Sequence, residues 1–280
     1  MAAFGSDLQK FTTPWLYVPR SPGGLWLGLA FAFVLIIVNG LLQFVFGVSV
    51  LALIFKVGIG DFLSGTSSDQ RELIKAFLIG ILPASILTAV VAWYLAKVKG
   101  GVPREVLALR WPDLGWLGWV CIIGGFLVAM YAMVFVIVTV FQIDLAQYTP
   151  GPDGQSPPTG SAGMVKEAMF DLANEPVLFW LAFPAIAIGA PLAEEFVFRG
   201  QLFAALANSR AGLSGATIIT SALWSLMHIT EPWLAVGIIF LMGLVLGALL
   251  IRFGSLWVTM ACHAIWNGAY AAIIFWAQPQ

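Results

Sequence analysis

Three short blocks in otherwise apolar sequence combine residue types that can do chemistry. EEFVFR supplies Glu194, Glu195 and Arg199, WSLMH ends at His228, and HAIWN runs from His263 to Asn267. His228 and His263 are the only two histidines in the 280 residues. A carboxylate and a neutral imidazole facing one water can take its proton. A second imidazole and a side-chain amide can donate hydrogen bonds to a developing oxyanion. Together they form a water-activating hydrolytic set that needs no serine or cysteine nucleophile. A glutamate with two histidines is also a known zinc ligand set. Glu194, His228 and His263 are therefore the metal candidates if zinc is used. HExxH is absent, and neither histidine has a second one at helical spacing, so spacing leaves the metal question open.

The spacings divide the roles further. Glu195 and Arg199 are an i,i+4 pair, neighbours on one helix stripe, and can offset each other's burial. Glu194 points about 100° away on a regular helix, which frees it for another partner. His263 and Asn267, also i,i+4, form one polar stripe. Pro191 suits the first turn of a new helix, which would put Glu194 near a helix start, favoured by the dipole.

The elements that must carry these residues are membrane helices. The chain is 60% hydrophobic and only 10% charged, against about 25% charged in soluble domains. A net charge of -1 argues against a nucleic-acid binder, which carries a basic face. Cys121 and Cys262 lie in apolar runs and imply no disulfide framework. A span needs about 20 apolar residues. The apolar runs are 24–55 (long, with a break expected near Asn39-Gly40), 76–96, 114–143, 177–207, 214–233, 234–251 and 255–276. The run at 177–207 is interrupted by Pro184 and by Gly189-Ala190-Pro191. The expectation is an all-α polytopic membrane bundle of seven or eight transmembrane helices. Residues 1–23 form a cytoplasmic N-terminal segment and 24–280 a single transmembrane domain. Residues 144–176 lie outside the membrane, with MVKEAMFDLAN near their end as a short interfacial helix.

With seven crossings and the N-terminus inside, the inner side receives Lys10, Arg20, Lys97, Lys99, Arg104, Arg110, Arg199, Arg210 and Arg252. The outer side receives Lys56, Arg71, Lys75 and Lys166, as the positive-inside rule favours. Counted from the inner ends of their runs, Glu194 and His228 lie roughly 20 Å deep, Asn267 roughly 18 Å and His263 roughly 12 Å. Three helices can thus bring a carboxylate, two imidazoles and an amide to one depth. A charge in the bilayer centre costs roughly 3 kcal/mol or more, so such residues face the protein interior.

In this order, on consecutive apolar segments, the three blocks resemble the CAAX-protease and bacteriocin-processing (CPBP, or Abi) family of intramembrane proteases. Trp224 stands where that family usually has Phe, which preserves an aromatic. The resemblance covers about residues 177–276. It implies about eight helices around an intramembrane polar cavity. It also implies water activation by Glu194 and His228, oxyanion stabilisation by His263 and Asn267, and support from Glu195 and Arg199. The family's chemistry is described both as zinc-dependent and as a metal-free glutamate mechanism. The implied substrate is a membrane-anchored protein or peptide, and the implied location a bacterial inner (plasma) membrane.

Plainer roles stand beside these. Glu195–Arg199 can be a purely structural pair. Glu194 can be an interfacial charge, and a membrane histidine can serve only a helix–helix hydrogen bond. Trp233, Trp257, Trp266 and Trp276 suit packing or the aromatic belt, Asn39 and Gln43 helix packing, and Cys262 packing. The functional alternatives are a catalytically silent scaffold or accessory subunit, and a proton-coupled transporter. Transporters usually show repeated halves, and none is visible here.

Overall fold

A computed structural model describes residues 16–58, 60, 67–143, 168–169 and 171–276. The described residues form helices and no strand. In chain order the long helices are α1 (Gly24–Phe55), α2 (Ser67–Leu95), α3 (Trp116–Val140), α4 (Pro176–Ala207), α5 (Gly212–Leu226), α6 (Trp233–Phe253) and α7 (Leu256–Trp276). Five of them, α1, α2, α3, α4 and α6, are long and apolar enough to cross a membrane, which makes this an integral membrane protein. α5 has 15 residues, roughly 22 Å, short of a hydrocarbon core of about 30 Å. α7 has 21 residues, roughly 31 Å, and carries His263 and Asn267. Residues 1–15 and 144–167, including most of the N-terminal segment and of the extramembrane loop, lie outside the described residues. Of the expected interfacial helix, 168–169 and 171–173 are helical, with Ala168, Met169 and Leu172 buried.

Two expected breaks are absent. α1 runs unbroken through Asn39-Gly40 and loosens instead into a π turn at Leu51–Phe55. Asn39 accepts a hydrogen bond from the Thr88 hydroxyl of α2 at 3.0 Å, so it is a helix-packing group. α4 also stays helical through both prolines, switching to π geometry at Ala185–Gly189 and again at Glu195–Leu202. A proline removes one backbone donor and crowds the preceding turn, and a π turn absorbs that crowding by taking an extra residue. Glu194 therefore lies deep inside α4, not near a helix start, and the dipole account of its position does not hold.

α5 and α6 form a close antiparallel pair. Gly243 lies against Ser221 and Gly247 against Thr217, so tightly that any Cβ at either glycine would sit 2.7 Å from its neighbour. Small residues spaced by four let membrane helices approach in this way. α5 ends at Leu226, and residues 227–232 turn back into α6. Pro232 disfavours helix at the residue before it, which explains why the expected 214–233 span stops early. His228 consequently sits in this turn, not in mid-helix.

Candidate active site

The site is assembled where the second π stretch of α4 meets α5 and α7. Glu195 and Arg199 are fully buried and paired, Arg199 Nη1 lying 3.0 Å from Glu195 Oε1. The same carboxylate oxygen accepts from His263 Nδ1 at 3.1 Å. His263 is itself buried, and its other ring nitrogen, Nε2, faces Glu194 Oε2 at 3.8 Å. The two adjacent glutamates thus address opposite nitrogens of one imidazole. A regular helix would splay them by about 100°. Here the two side chains reach the same ring from either side, Glu195 at Nδ1 and Glu194 at Nε2, at the point where α4 passes into its second π stretch.

Trp224, one turn before His228, joins all the parts. It is buried, and its indole N–H donates to Glu194 Oε2 at 2.6 Å. The Arg199 guanidinium lies over its ring, 4.2 Å from the centroid, a geometry worth about 2 kcal/mol when desolvated. His263 and His228 meet the ring edge-on, at centroid distances of 5.1 and 5.7 Å. In the sequence Trp224 stands out only as an aromatic in the place of Phe. The signal for more was its chemistry, since a buried indole N–H needs an acceptor and Glu194 was the unclaimed one.

The remaining expected residues are placed differently. The His228 ring is half-buried, and its Nδ1–H donates to the Trp224 carbonyl at 3.0 Å. A carbonyl only accepts, so this contact puts a proton on Nδ1, and in the neutral ring Nε2 is the acceptor. His228 is joined to the cluster through Trp224. Asn267 Nδ2 donates to the Ile186 carbonyl at 3.3 Å. That carbonyl lies five residues before Pro191, where π geometry would have used an N–H that proline lacks. Asn267 fills the place of the missing donor.

A zinc ion requires donors converging at about 2.0–2.2 Å. Among the described residues no three His, Cys, Asp or Glu side chains are grouped to hold a metal. Glu194 is engaged by Trp224, and His228 is held one helical turn beyond it. The Glu195 contact to His263 resembles the outer contacts that orient ligand imidazoles, but the set as placed does not fit a zinc site.

An apolar cavity of about 460 Å³ runs beside the cluster. Ile188, Pro191 and Leu192 of α4, Trp119 of α3, and Trp257 and Ala264 of α7 are among its walls. The polar groups themselves pack on one another, and this cavity, beside them, is lined by apolar side chains.

Residues 176–269 match the Rce1-like family model, described as type II CAAX prenyl endopeptidase Rce1-like. That segment holds all three motif blocks and both π stretches of α4, so the resemblance seen in the motifs extends over the whole candidate site. No curated protein and no solved structure matches the chain.

Proposed function

We propose that the protein is an intramembrane endopeptidase that hydrolyses a peptide bond of a membrane-associated protein or peptide with a water activated by Glu194. The observation that carries this reading is the Glu194 carboxylate. It is held at 2.6 Å by a buried indole N–H, faces an imidazole at 3.8 Å, and is still 24% exposed. Its neighbours in the cluster are packed away, so Glu194 is the charged group that a water and a substrate can reach.

Glu194 takes the water's proton as general base, and the free Nε2 of His228 accepts from the same water. His263 donates from Nδ1 to Glu195. When it also carries a proton on Nε2, it donates toward the carbonyl oxygen as charge builds there. With His263 protonated, two carboxylates, one guanidinium and one imidazolium sum to zero charge. Arg199 and Glu195 hold the imidazole in place. Asn267 acts one step back, by fixing the α4 backbone at Ile186. The apolar cavity beside Pro191 and Leu192 suits the hydrophobic part of a membrane-embedded substrate. We place it in a bacterial inner (plasma) membrane, as the motif resemblance implies.

The test is cleavage of a membrane-anchored peptide by purified protein in lipid vesicles. Glu194→Ala is expected to abolish it, and cleavage at the parent rate would overturn the hydrolase reading. Turnover is expected to survive prolonged treatment with a chelator. Loss on chelation and recovery with zinc would refute the metal-free route.

A further inference from the structure

α7 starts at a corner that is gripped from two distant parts of the chain. α6 ends at Phe253 and α7 begins at Leu256. His263 follows two turns later, roughly 10 Å along the axis. The last four carbonyls of a helix have no partner within it. Here the Leu250 carbonyl takes the N–H of Gly254 at 2.7 Å, and that of Ile251 takes those of Leu16 and Tyr17, both at 3.2 Å. The Phe253 carbonyl takes Arg110 Nη2 at 3.4 Å. On the α7 side, Leu256 N–H donates to the Ala108 carbonyl at 2.8 Å, and Trp257 Nε1 to that of Leu109 at 3.2 Å. Gly254, between the helices, has φ +58°, and a Cβ there would lie 2.6 Å from the Leu16 carbonyl oxygen. Glycine thus meets two needs at this corner, left-handed backbone and room for the N-terminal segment.

The same two segments also hold α4. Tyr17 is buried, and its ring meets Phe203 edge-on at a centroid distance of 5.2 Å. Phe203 is the first residue after the second π stretch of α4. Leu107 is fully buried and lies against Gly200 inside that stretch, where a Cβ would be 3.1 Å away. Gly28 of α1, shortly after the N-terminal segment, packs on Ala205. The segment at Tyr17 and the loop at 107–110 therefore each reach from the Ala207 end of α4 to the α6–α7 corner.

These grips bear on one distance in the site. Glu195 is on α4 and His263 on α7, and their side chains meet at 3.1 Å. Sliding α7 by one residue past α4 would carry the imidazole about 1.5 Å along the axis and turn it by about 100°, which would break that contact. The Tyr17 hydroxyl has no hydrogen-bond partner among the described residues. Tyr17 therefore acts through its ring, on α4, and through its backbone N–H, on the corner.

We infer that Tyr17 is a positioning residue of the site. Together with the 107–110 loop it clamps α4 to the α6–α7 corner and so fixes the register at which His263 meets Glu195. It does this from outside the 176–269 segment that matches the family model. That the register serves a reaction rests on the hydrolase reading, whereas the clamp itself does not.

Two measurements on the full chain in lipid vesicles test this, with Tyr17→Ala removing the ring and Tyr17→Phe only the hydroxyl. The first reads geometry without turnover. His228 and His263 are the only histidines, so isotope-labelled histidine gives two sets of ring-nitrogen resonances, and a His228→Ala sample tells them apart. Tyr17→Ala is expected to shift the His263 Nδ1 resonance, and Tyr17→Phe to leave it in place. The second reads cleavage of a membrane-anchored peptide. Tyr17→Ala is expected to lower kcat roughly tenfold or more, about 1.4 kcal/mol on the barrier, with KM unchanged, and Tyr17→Phe to keep the parent values. An unmoved His263 resonance in Tyr17→Ala, a loss confined to KM, or an equal loss in Tyr17→Phe overturns the proposal. If Tyr17→Ala does not accumulate, Tyr17→Leu, which fills much of the space without an aromatic edge, decides on the same criteria. A fully active Glu194→Ala protein would remove the hydrolase reading and leave the His263 resonance result standing.

Discussion

Replacing Trp224 with Phe isolates one contact of the cluster. The substitution removes the indole N–H that holds Glu194 Oε2 at 2.6 Å and keeps an aromatic face for Arg199, now 4.2 Å above the ring. A hydrogen bond to a charged group contributes roughly 1.5–3 kcal/mol. If Glu194 must be held in place to meet the water, that loss raises the barrier. At about 1.4 kcal/mol per tenfold, kcat/KM for a membrane-anchored fluorogenic peptide should fall roughly 10- to 150-fold. Burial adds a separate effect, because Phe is smaller and leaves a void that lowers thermal stability without selecting Glu194. A cycle on unfolding separates the two. Trp224→Phe, Glu194→Ala and the double variant should show a coupling of roughly 1.5 kcal/mol or more. A coupling near zero, or cleavage within threefold of the parent by a folded Trp224→Phe protein, refutes the assignment of Trp224 as the residue that positions the base.

Two further variants probe the supporting contacts. Glu195→Gln leaves Arg199 buried without its carboxylate, and breaking such a pair costs about 3–5 kcal/mol. Thermal unfolding in detergent should drop steeply, and Glu195→Gln/Arg199→Gln together should cost less than the two single changes summed. Asn267→Ala orphans the Ile186 carbonyl, at about 1–3 kcal/mol. Adding Pro191→Ala restores a backbone donor and should recover part of that loss, whereas an additive pair of losses would show that Asn267 does not substitute for the missing donor.

Much of this arrangement was legible in the sequence because charge in apolar sequence is conspicuous. The Glu195–Arg199 pair follows from i,i+4 spacing and is found at 3.0 Å. The convergence of α4, α5 and α7 follows from three polar blocks on three apolar runs. What the sequence hid was backbone geometry. Regular helix spacing separates Glu194 from Glu195 and does not show that both carboxylates reach opposite nitrogens of His263. Pro191 read as a helix start because proline is favoured there. Here a π turn accommodates it, and Asn267 supplies the donor it lacks. His228 read as mid-membrane because Leu226–Trp233 continues the apolar run, while Glu231-Pro232 ends the helix for local reasons that hydropathy does not register. Trp224 was overlooked since its ring, not its N–H, was weighed.

The cluster also sets a timetable for biogenesis. Glu194, Glu195 and Arg199 leave the ribosome together on α4, but Trp224 follows Glu194 by 30 residues and His263 follows Glu195 by 68. At about 5–20 residues per second, α4 waits several seconds in or beside the insertion machinery before the imidazole that bridges its two carboxylates exists. For the first 30 residues of that interval Glu194 has neither its indole nor its imidazole, and for the rest it has only the indole. Until His263 is made, α4 carries two carboxylates against the single Arg199, a charge that is costly in lipid. The contacts that close the candidate site are thus also among the last that the chain can make.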